Sequence, residues 1–210
     1  MSITLEHLRA AVNLNGFDAE SAHRQMAPSV NRTRPDSGAR QAGVLVLLYP
    51  DAGRWQIVLT RRTENLRGHS GQISFPGGRR DPQDDSFTAT ALRETHEELG
   101  LCPPDITVIG LLTPIYIPPS NFEVFPTVGT LPSPPVFEPN PLEVAEVFTF
   151  PVDNLLDARY KSTEEWVFQG ARVWIPYYTV QTHKVWGATA IILSELEYRL
   201  RAVVPSLRRD

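Results

Sequence analysis

The chain has 210 residues, and its 20 Lys and Arg against 24 Asp and Glu leave a formal net charge of −4. Nucleic-acid-binding proteins attract phosphate backbones with an excess of positive charge, which this chain lacks, so we expect no nucleic-acid partner. The single cysteine, Cys102, excludes an intrachain disulfide. A single cysteine favours a reducing compartment, and no apolar stretch reaches membrane-spanning length, so we expect a cytoplasmic protein without a membrane partner.

The first 40 residues are predicted to form a helical arm and a linker. The apolar residues that recur there at helical spacing are Leu5, Leu8, Ala11 and Val12. Residues 18–26 are predicted to form a second short helix, and residues 27–40 are rich in the Pro, Ser, Asn and Arg of a linker. We expect this arm to serve in packing or in a homodimer contact, and we place the main domain at residues 41–205.

The remaining elements alternate between short strands and helices. The predicted strands are residues 42–49, 55–62, 73–76, 106–112, 123–131, 144–150, 166–168 and 172–180. A helix is predicted over residues 189–203, a short helical turn follows Pro151, and the proline-rich residues 131–141 are predicted to be a loop. Strands mixed with long helices favour an α/β sandwich in which helices flank a mixed sheet.

A glycine pair, an acidic loop and a predicted helix make up residues 77–100. Asp84, Asp85 and Ser86 are each suited to accept a hydrogen bond from the first free amide groups of the helix. Gly100 suits the left-handed residue that commonly ends a helix.

Three carboxylates lie close together on this helix. At about 100° per residue, Glu94, Glu97 and Glu98 share one side. Oxygen ligands clustered in this way suit a hard cation such as Mg²⁺ or Mn²⁺. A solvated acidic face is the alternative, but the cluster directly follows Arg93 and stops at Gly100, a combination that is harder to obtain by chance.

These residues resemble the Nudix box, the signature of the Nudix hydrolases. The matching residues are Arg93, Glu94, Glu97, Glu98, Gly100 and Leu101. The first half of the box departs from the family pattern. Its loop after Gly78 is one residue longer and carries Asp84 and Asp85 where the family has a glutamate. The role of this first acid is therefore left open by the sequence.

The resemblance implies a Nudix-type α/β/α sandwich that hydrolyses diphosphates with Mg²⁺ or Mn²⁺. The metal ligands that it implies are Glu94, Glu97, Glu98 and the carbonyl oxygen of Gly77. Arg93 is expected to hold the glutamates in place by ion pairs. Glu143 and Glu146 are candidates for a supplementary base or ligand, and surface carboxylates are an equally good interpretation of both.

The segment before the box carries a second pattern. It resembles the extended signature of the coenzyme A pyrophosphatases through Leu59, Thr60, Arg62, Arg67, Gly71 and residues 75–78. The planar guanidinium of arginine can hold phosphate oxygens through two parallel hydrogen bonds. We therefore expect Arg62, Arg67, Gly77 and Gly78 to bind substrate, with ordinary surface ion pairs as the alternative for the arginines.

The resemblance implies hydrolysis of coenzyme A, or a derivative of it, to 4′-phosphopantetheine and adenosine 3′,5′-bisphosphate. Two alternatives stay open. The first is a Nudix hydrolase of ADP-ribose, NADH or a dinucleoside polyphosphate. The second is a Nudix-fold module that senses a nucleotide without cleaving it, which the presence of all three glutamates disfavours.

Overall fold

A computed structural model describes residues 2–28, 38–64, 71–168 and 170–204. The strands are β1 Arg40–Asp51, β2 Arg54–Arg62, β3 Ile73–Ser74, β4 Gly77–Arg79, β5 Thr107–Leu111, β6 Ile115–Ile117, β7 Phe122–Thr130, β8 Val144–Pro151, β9 Lys161–Phe168, β10 Ala171–Val180 and β11 His183–Trp186. The α-helices are α1 Leu5–Val12, α2 Ala19–Gln25, α3 Phe87–Leu99, α4 Val152–Leu155 and α5 Gly187–Val203. None of these helices combines the length and apolarity needed to cross a membrane.

The strands form two sheets. The larger sheet is mixed and runs β3-β2-β1-β7-β5, with β4 pairing with β1, β6 with β7 and β8 with β2. Its one parallel pair among the described strands is β1 with β7. The smaller sheet is antiparallel, in the order β11-β10-β9.

Helices cover both faces of the larger sheet, which confirms the expected sandwich. The side chains of β1 alternate between the two faces, so that Leu45 and Leu47 join a core with residues of α3, while Val46 and Leu48 join the core on the α5 side. Because both faces of β1 are covered, its sequence is a nearly continuous apolar run.

Both ends of α3 are set by local chemistry. Ser86 is the N-cap, and its hydroxyl accepts a hydrogen bond from the N–H of Ala89. Gly100 ends the helix with φ +72°, in the left-handed region that glycine enters without steric cost. Between these caps, Ala91 and Leu99 are fully buried against the sheet. The side of α3 that carries the glutamates is thereby turned toward β4.

The N-terminal helices, predicted correctly as elements, pack on α5. The link is Glu195, a fully buried carboxylate whose Oε2 lies 2.6 Å from Nε2 of His23 in α2. Arg199 donates to Glu195 at 2.9 Å and to the carbonyl oxygen of Ala11 at 3.3 Å. Burial raises the pKa of Glu195, but hydrogen bonds from His23, Thr113 and Arg199 outweigh burial and lower it.

Three short strands were not predicted. These are β4, β6 and β11, with three or four residues each. In addition, β9 begins at Lys161, five residues before the predicted start, and β3 ends at Ser74. Such short segments are strands because a neighbouring strand supplies their hydrogen bonds, and their own composition carries little signal.

Candidate active site

The glycine pair brings β4 into direct contact with neighbouring backbone and with α3. Gly77 has φ +149°, and a Cβ atom there would lie 2.5 Å from the carbonyl oxygen of Gly43 and 2.6 Å from Cα of Val44. A Cβ atom on Gly78 would lie 2.3 Å from Oε2 of Glu94. A side chain at position 77 would therefore collide with backbone, and one at position 78 would displace the carboxylate of Glu94.

Glu98 lies buried beneath this strand. Its side chain is 3% exposed, and its Oε2 accepts a hydrogen bond from the N–H of Gly77 at 3.1 Å. Nη1 of Arg62 lies 3.5 Å from its Oε1. Burial raises the pKa of Glu98 to about 7, and the charge of Glu94 adds to the effect. The carboxylate is therefore held by a backbone donor and one arginine in a site that favours its neutral form.

Glu94 lies one turn earlier on the same side of α3. Its side chain is 15% exposed, and its Oε1 forms an ion pair with Nη1 of Arg93 at 2.9 Å. Burial raises its pKa, and the charges of Glu97 and Glu143 raise it further. Glu97 differs, because half of its side chain is exposed and its carboxylate pairs with Arg93 at 3.1 Å. The structure thus places Glu94 and Glu98 together under β4, with Glu97 at the edge.

Arg93 is held by a residue whose role the sequence left open. Nε and Nη2 of Arg93 donate to the two carboxylate oxygens of Asp84, both at 3.0 Å. Asp84 is 8% exposed and also accepts from Thr90 at 2.8 Å and from the N–H of Asp81 at 2.9 Å. The Arg93 guanidinium holds the pKa of Asp84 well below its usual range. Asp85, by contrast, is exposed.

The donor set of this site fits a hard divalent cation. The carboxylate oxygens of Glu94 and Glu98 are ligands of the kind that Mg²⁺ and Mn²⁺ prefer. Within the described part of the chain, no group of three or more His, Cys, Asp and Glu side chains is arranged to hold a metal. The carboxylates of Glu94 and Glu97 are turned to Arg93, and that of Glu98 to Gly77. A bound cation would relieve the electrostatic cost that the raised pKa values of Glu94 and Glu98 express.

Glu143 and Glu146, the two further carboxylates suggested by the sequence, have different surroundings in the structure. Glu146 forms an ion pair with Arg61 at 3.1 Å and lies 3.4 Å from His183, and these contacts lower its pKa. The charge of Glu143 instead raises the pKa of both Glu94 and Glu98, which we call the acidic pair. Arg67 lies outside the described residues.

A cavity of about 720 Å³ opens beside Glu94. Glu94 and Arg93 line one part of it, and Arg40, Arg79 and Arg80 line another. This size is typical of small-molecule sites. The sequence did not indicate Arg40 as a site residue, because it approaches the cavity from β1, which meets β4 only in the folded sheet.

The geometry agrees with comparisons at the level of sequence. The family model of the NUDIX domain matches residues 39–182. An uncharacterized Nudix hydrolase NudL from Pectobacterium atrosepticum is 39% identical over 180 residues, covering 84% of this chain and 89% of that protein. The mitochondrial coenzyme A diphosphatase NUDT8 from Homo sapiens is 40% identical over 177 residues, covering 83% of this chain and 72% of that protein.

Solved structures support the same fold. A MutT/nudix family protein from Enterococcus faecalis superimposes with a TM-score of 0.53 at 15% identity, covering 95% of this chain and 75% of that one. The Nudix hydrolase RenU from M. smegmatis gives a TM-score of 0.51 at 20% identity, covering 83% and 91%. With the family match and these relatives, the chain belongs to the Nudix hydrolases.

Proposed function

We propose that the protein hydrolyses the diphosphate of coenzyme A or of a coenzyme A derivative to 4′-phosphopantetheine and adenosine 3′,5′-bisphosphate. The observation that carries the proposal is that the buried Glu98 and the partly buried Glu94 lie together on α3, and that Glu94 lines a large cavity together with arginines. Such a site suits a polyanionic small molecule. The choice of coenzyme A is supported by the upstream signature and by the similarity to the coenzyme A diphosphatase NUDT8.

In this proposal, Glu94, Glu97, Glu98 and the carbonyl oxygen of Gly77 hold Mg²⁺ or Mn²⁺. When bound, the cation supplies neutralisation of the charge on the diphosphate oxygens. Arg93 acts as a positioning residue: its link to Asp84 sets where its ion pairs hold Glu94 and Glu97. The glutamates then present their charge in a fixed arrangement, which is the condition for effective electrostatic stabilisation.

Arg62 is positioned to bind the diphosphate itself. It lies at the end of β2, and its side chain is about a quarter exposed and points to Glu98. A guanidinium in this position can donate to a phosphate oxygen of the substrate and keep its contact with Glu98. Arg67, from the same sequence pattern, is proposed as a second phosphate ligand.

The hydrolysis needs a group that accepts a proton from water. Water attacks one phosphorus in line, so that a new P–O bond forms while the bridging P–O bond breaks and the second phosphate leaves. Glu143 is our candidate for the proton acceptor, because its charge reaches both Glu94 and Glu98. Glu146 is less suited, since Arg61 already neutralises it.

Product analysis with Mg²⁺ across four substrates tests the proposal. Coenzyme A, acetyl-coenzyme A, ADP-ribose and NADH should be compared at equal concentration, with products separated by chromatography. We expect the highest kcat/KM on one of the two coenzyme A substrates, with adenosine 3′,5′-bisphosphate as product. A higher kcat/KM on ADP-ribose or NADH would overturn the proposed substrate and leave the Nudix family assignment intact.

A further inference from the structure

The cavity beside Glu94 collects arginines that have no carboxylate partner. Most arginines in the described residues form ion pairs with Asp or Glu. Among those residues, the exceptions are Arg9 and three arginines that line this cavity, namely Arg40, Arg79 and Arg80. Unpaired positive charge is therefore concentrated at one place, next to the acidic pair.

The three cavity arginines are engaged to different extents. Arg80 donates to the carbonyl oxygen of Asp84 at 3.0 Å and stacks over the ring of Phe87. Arg40 stacks over the ring of Phe122 at 4.3 Å and donates to the carbonyl oxygen of Ser120 at 2.6 Å. These contacts orient the two guanidinium groups but neutralise neither.

Arg79 is the least engaged of the three. Its side chain is exposed and makes no hydrogen bond or ion pair with any described residue. Its backbone carbonyl oxygen accepts from Arg93 at 3.2 Å, which anchors the strand without using the side chain. A guanidinium with all of its donors free beside an enzyme site is available to an anionic ligand.

The strand register places Arg40 and Arg79 side by side. Arg79 pairs with Ala42 across the antiparallel β1–β4 ladder, and Arg40 precedes Ala42 by two residues on the same face of β1. Such diagonal neighbours are about 7–8 Å apart, so two long side chains can reach the same group. Asp81 also lines the cavity, and its Oδ1 accepts from the N–H of Gln83 at 2.9 Å.

The cavity relates this pair to the predicted metal ligands. By the alternation of side chains along a strand, Arg40 and Arg79 lie on the face of the β1–β4 ladder opposite to Gly78, which contacts Glu94, yet both arginines and Glu94 line the same cavity. A ligand in this cavity with its diphosphate at Glu94 can therefore reach the two arginines with its next anionic group. In coenzyme A that group is the 3′-phosphate, which one ribose ring separates from the diphosphate.

We propose that Arg40 and Arg79 form a binding site for the ribose 3′-phosphate of the substrate, which rests on coenzyme A being that substrate. The pair then makes the enzyme selective for coenzyme A over nucleoside diphosphate derivatives that lack this group. Arg62, at the other end of the acidic pair, contacts the diphosphate and contributes nothing to this selectivity.

Kinetics on coenzyme A and dephospho-coenzyme A test the site. Arg79→Ala and Arg40→Ala should each lower the ratio of kcat/KM for coenzyme A to that for dephospho-coenzyme A by about ten- to hundredfold. Arg79→Lys should lower the ratio less, because it keeps the charge but loses the planar pair of donors. Arg54→Ala is the matched control, since it removes an arginine that pairs with Asp153 away from the cavity, and the ratio should stay at the parent value.

Two kinetic results would overturn the site. A ratio unchanged in both alanine variants excludes the pair from substrate recognition. An equal loss on both substrates assigns the arginines to the diphosphate and not to the 3′-phosphate. The thermal melting temperature of each variant should be measured beside its kinetics. If Arg40→Ala fails to fold, Arg79→Ala tests the site by itself, because Arg79 is exposed.

A binding measurement separates failure of this site from failure of the proposed function. If the parent does not cleave coenzyme A, the proposed function is wrong, and calorimetry with adenosine 3′,5′-bisphosphate and adenosine 5′-monophosphate decides the site alone. A preference of the parent for the bisphosphate that Arg79→Ala loses supports the site. Equal affinity of the parent for both nucleotides overturns it.

Discussion

Arg93 of α3 donates two hydrogen bonds of 3.0 Å to Asp84 in the preceding loop, one to each carboxylate oxygen. Asp84 is almost fully buried, while the neighbouring Asp85 is exposed. The longer loop of this chain therefore uses its first acid to hold the arginine that in turn pairs with Glu94 and Glu97.

Asp84→Asn should destabilise the protein, whereas Asp85→Asn should leave its stability within about 0.5 kcal/mol of the parent. Loss of a charge-assisted hydrogen bond lowers the free energy of unfolding by about 1.5–3 kcal/mol. Because the folded protein lowers the pKa of Asp84, this contribution is full above the unfolded-state value of about 3.9 and shrinks as the pH falls below it. Urea denaturation at pH 7 and pH 3 measures both effects. If Asp84→Asn lost the same free energy of unfolding at the two pH values, the ionised Asp84 would not be the source of the stabilisation.

Glu94→Gln and Glu98→Gln should each lower kcat by at least about a hundredfold, as loss of charge stabilisation in an active site generally does. Folding should survive, because burial raises the pKa of both groups and a neutral side chain costs less there. Steady-state rates with Mg²⁺ and thermal melting without it are the measurements. Near-normal rates in both variants, or unfolding of either, would exclude these residues from the metal site.

Arg62→Ala should lower kcat on coenzyme A and on dephospho-coenzyme A to the same degree, by about ten- to hundredfold. The reason is its position 3.5 Å from Glu98, where the diphosphate would bind. Steady-state kinetics on the two substrates provides the measurement. Arg61→Ala is a suitable comparison. Arg61 is the residue before Arg62 on β2, and it pairs with Glu146 of β8. A loss confined to coenzyme A would move the 3′-phosphate contact to Arg62.

Glu143→Gln should lower kcat more than Glu146→Gln, by about a hundredfold against less than about threefold, if Glu143 accepts the proton from water. The charge of Glu143 acts on both Glu94 and Glu98, while Glu146 is bound to Arg61. Steady-state rates of the two variants with Mg²⁺ are the measurement. An equal loss of kcat in both variants, or none in Glu143→Gln, would assign the proton acceptor to another group.

Glu195→Gln should lower the free energy of unfolding by about 3–5 kcal/mol, because it leaves Arg199 buried without its partner. Glu20→Gln is the matched control, since Glu20 forms an exposed pair with Arg24 and its loss should cost less than about 0.5 kcal/mol. Urea denaturation of the three proteins gives these values. Equal stability of Glu195→Gln and the parent would show that α1 and α2 are held by apolar packing alone.

The sequence alone determined the features that depend on neighbouring residues. The spacing of Glu94 and Glu98 predicts that a helix brings both to one face, and the resemblance of Arg93, Glu94 and Glu98 to the Nudix box indicates the family. The caps of α3 follow from the residue types at its ends, and continuous apolar runs identify the buried strands. These signals were sufficient for the fold class, the two N-terminal helices and the family.

Only the tertiary structure decided what depends on residues distant in the chain. The sequence could not show that Gly77 donates to Glu98, that Arg40 and Arg79 share one face of a ladder, or that Glu146 is bound by Arg61. Each of these contacts depends on the register of paired strands or on the packing of a helix over a sheet, and a shift of one residue would turn the same side chains to the opposite face. The carboxylates therefore come from a local pattern, whereas their surroundings, and with them the charge and shape offered to a substrate, come from the fold.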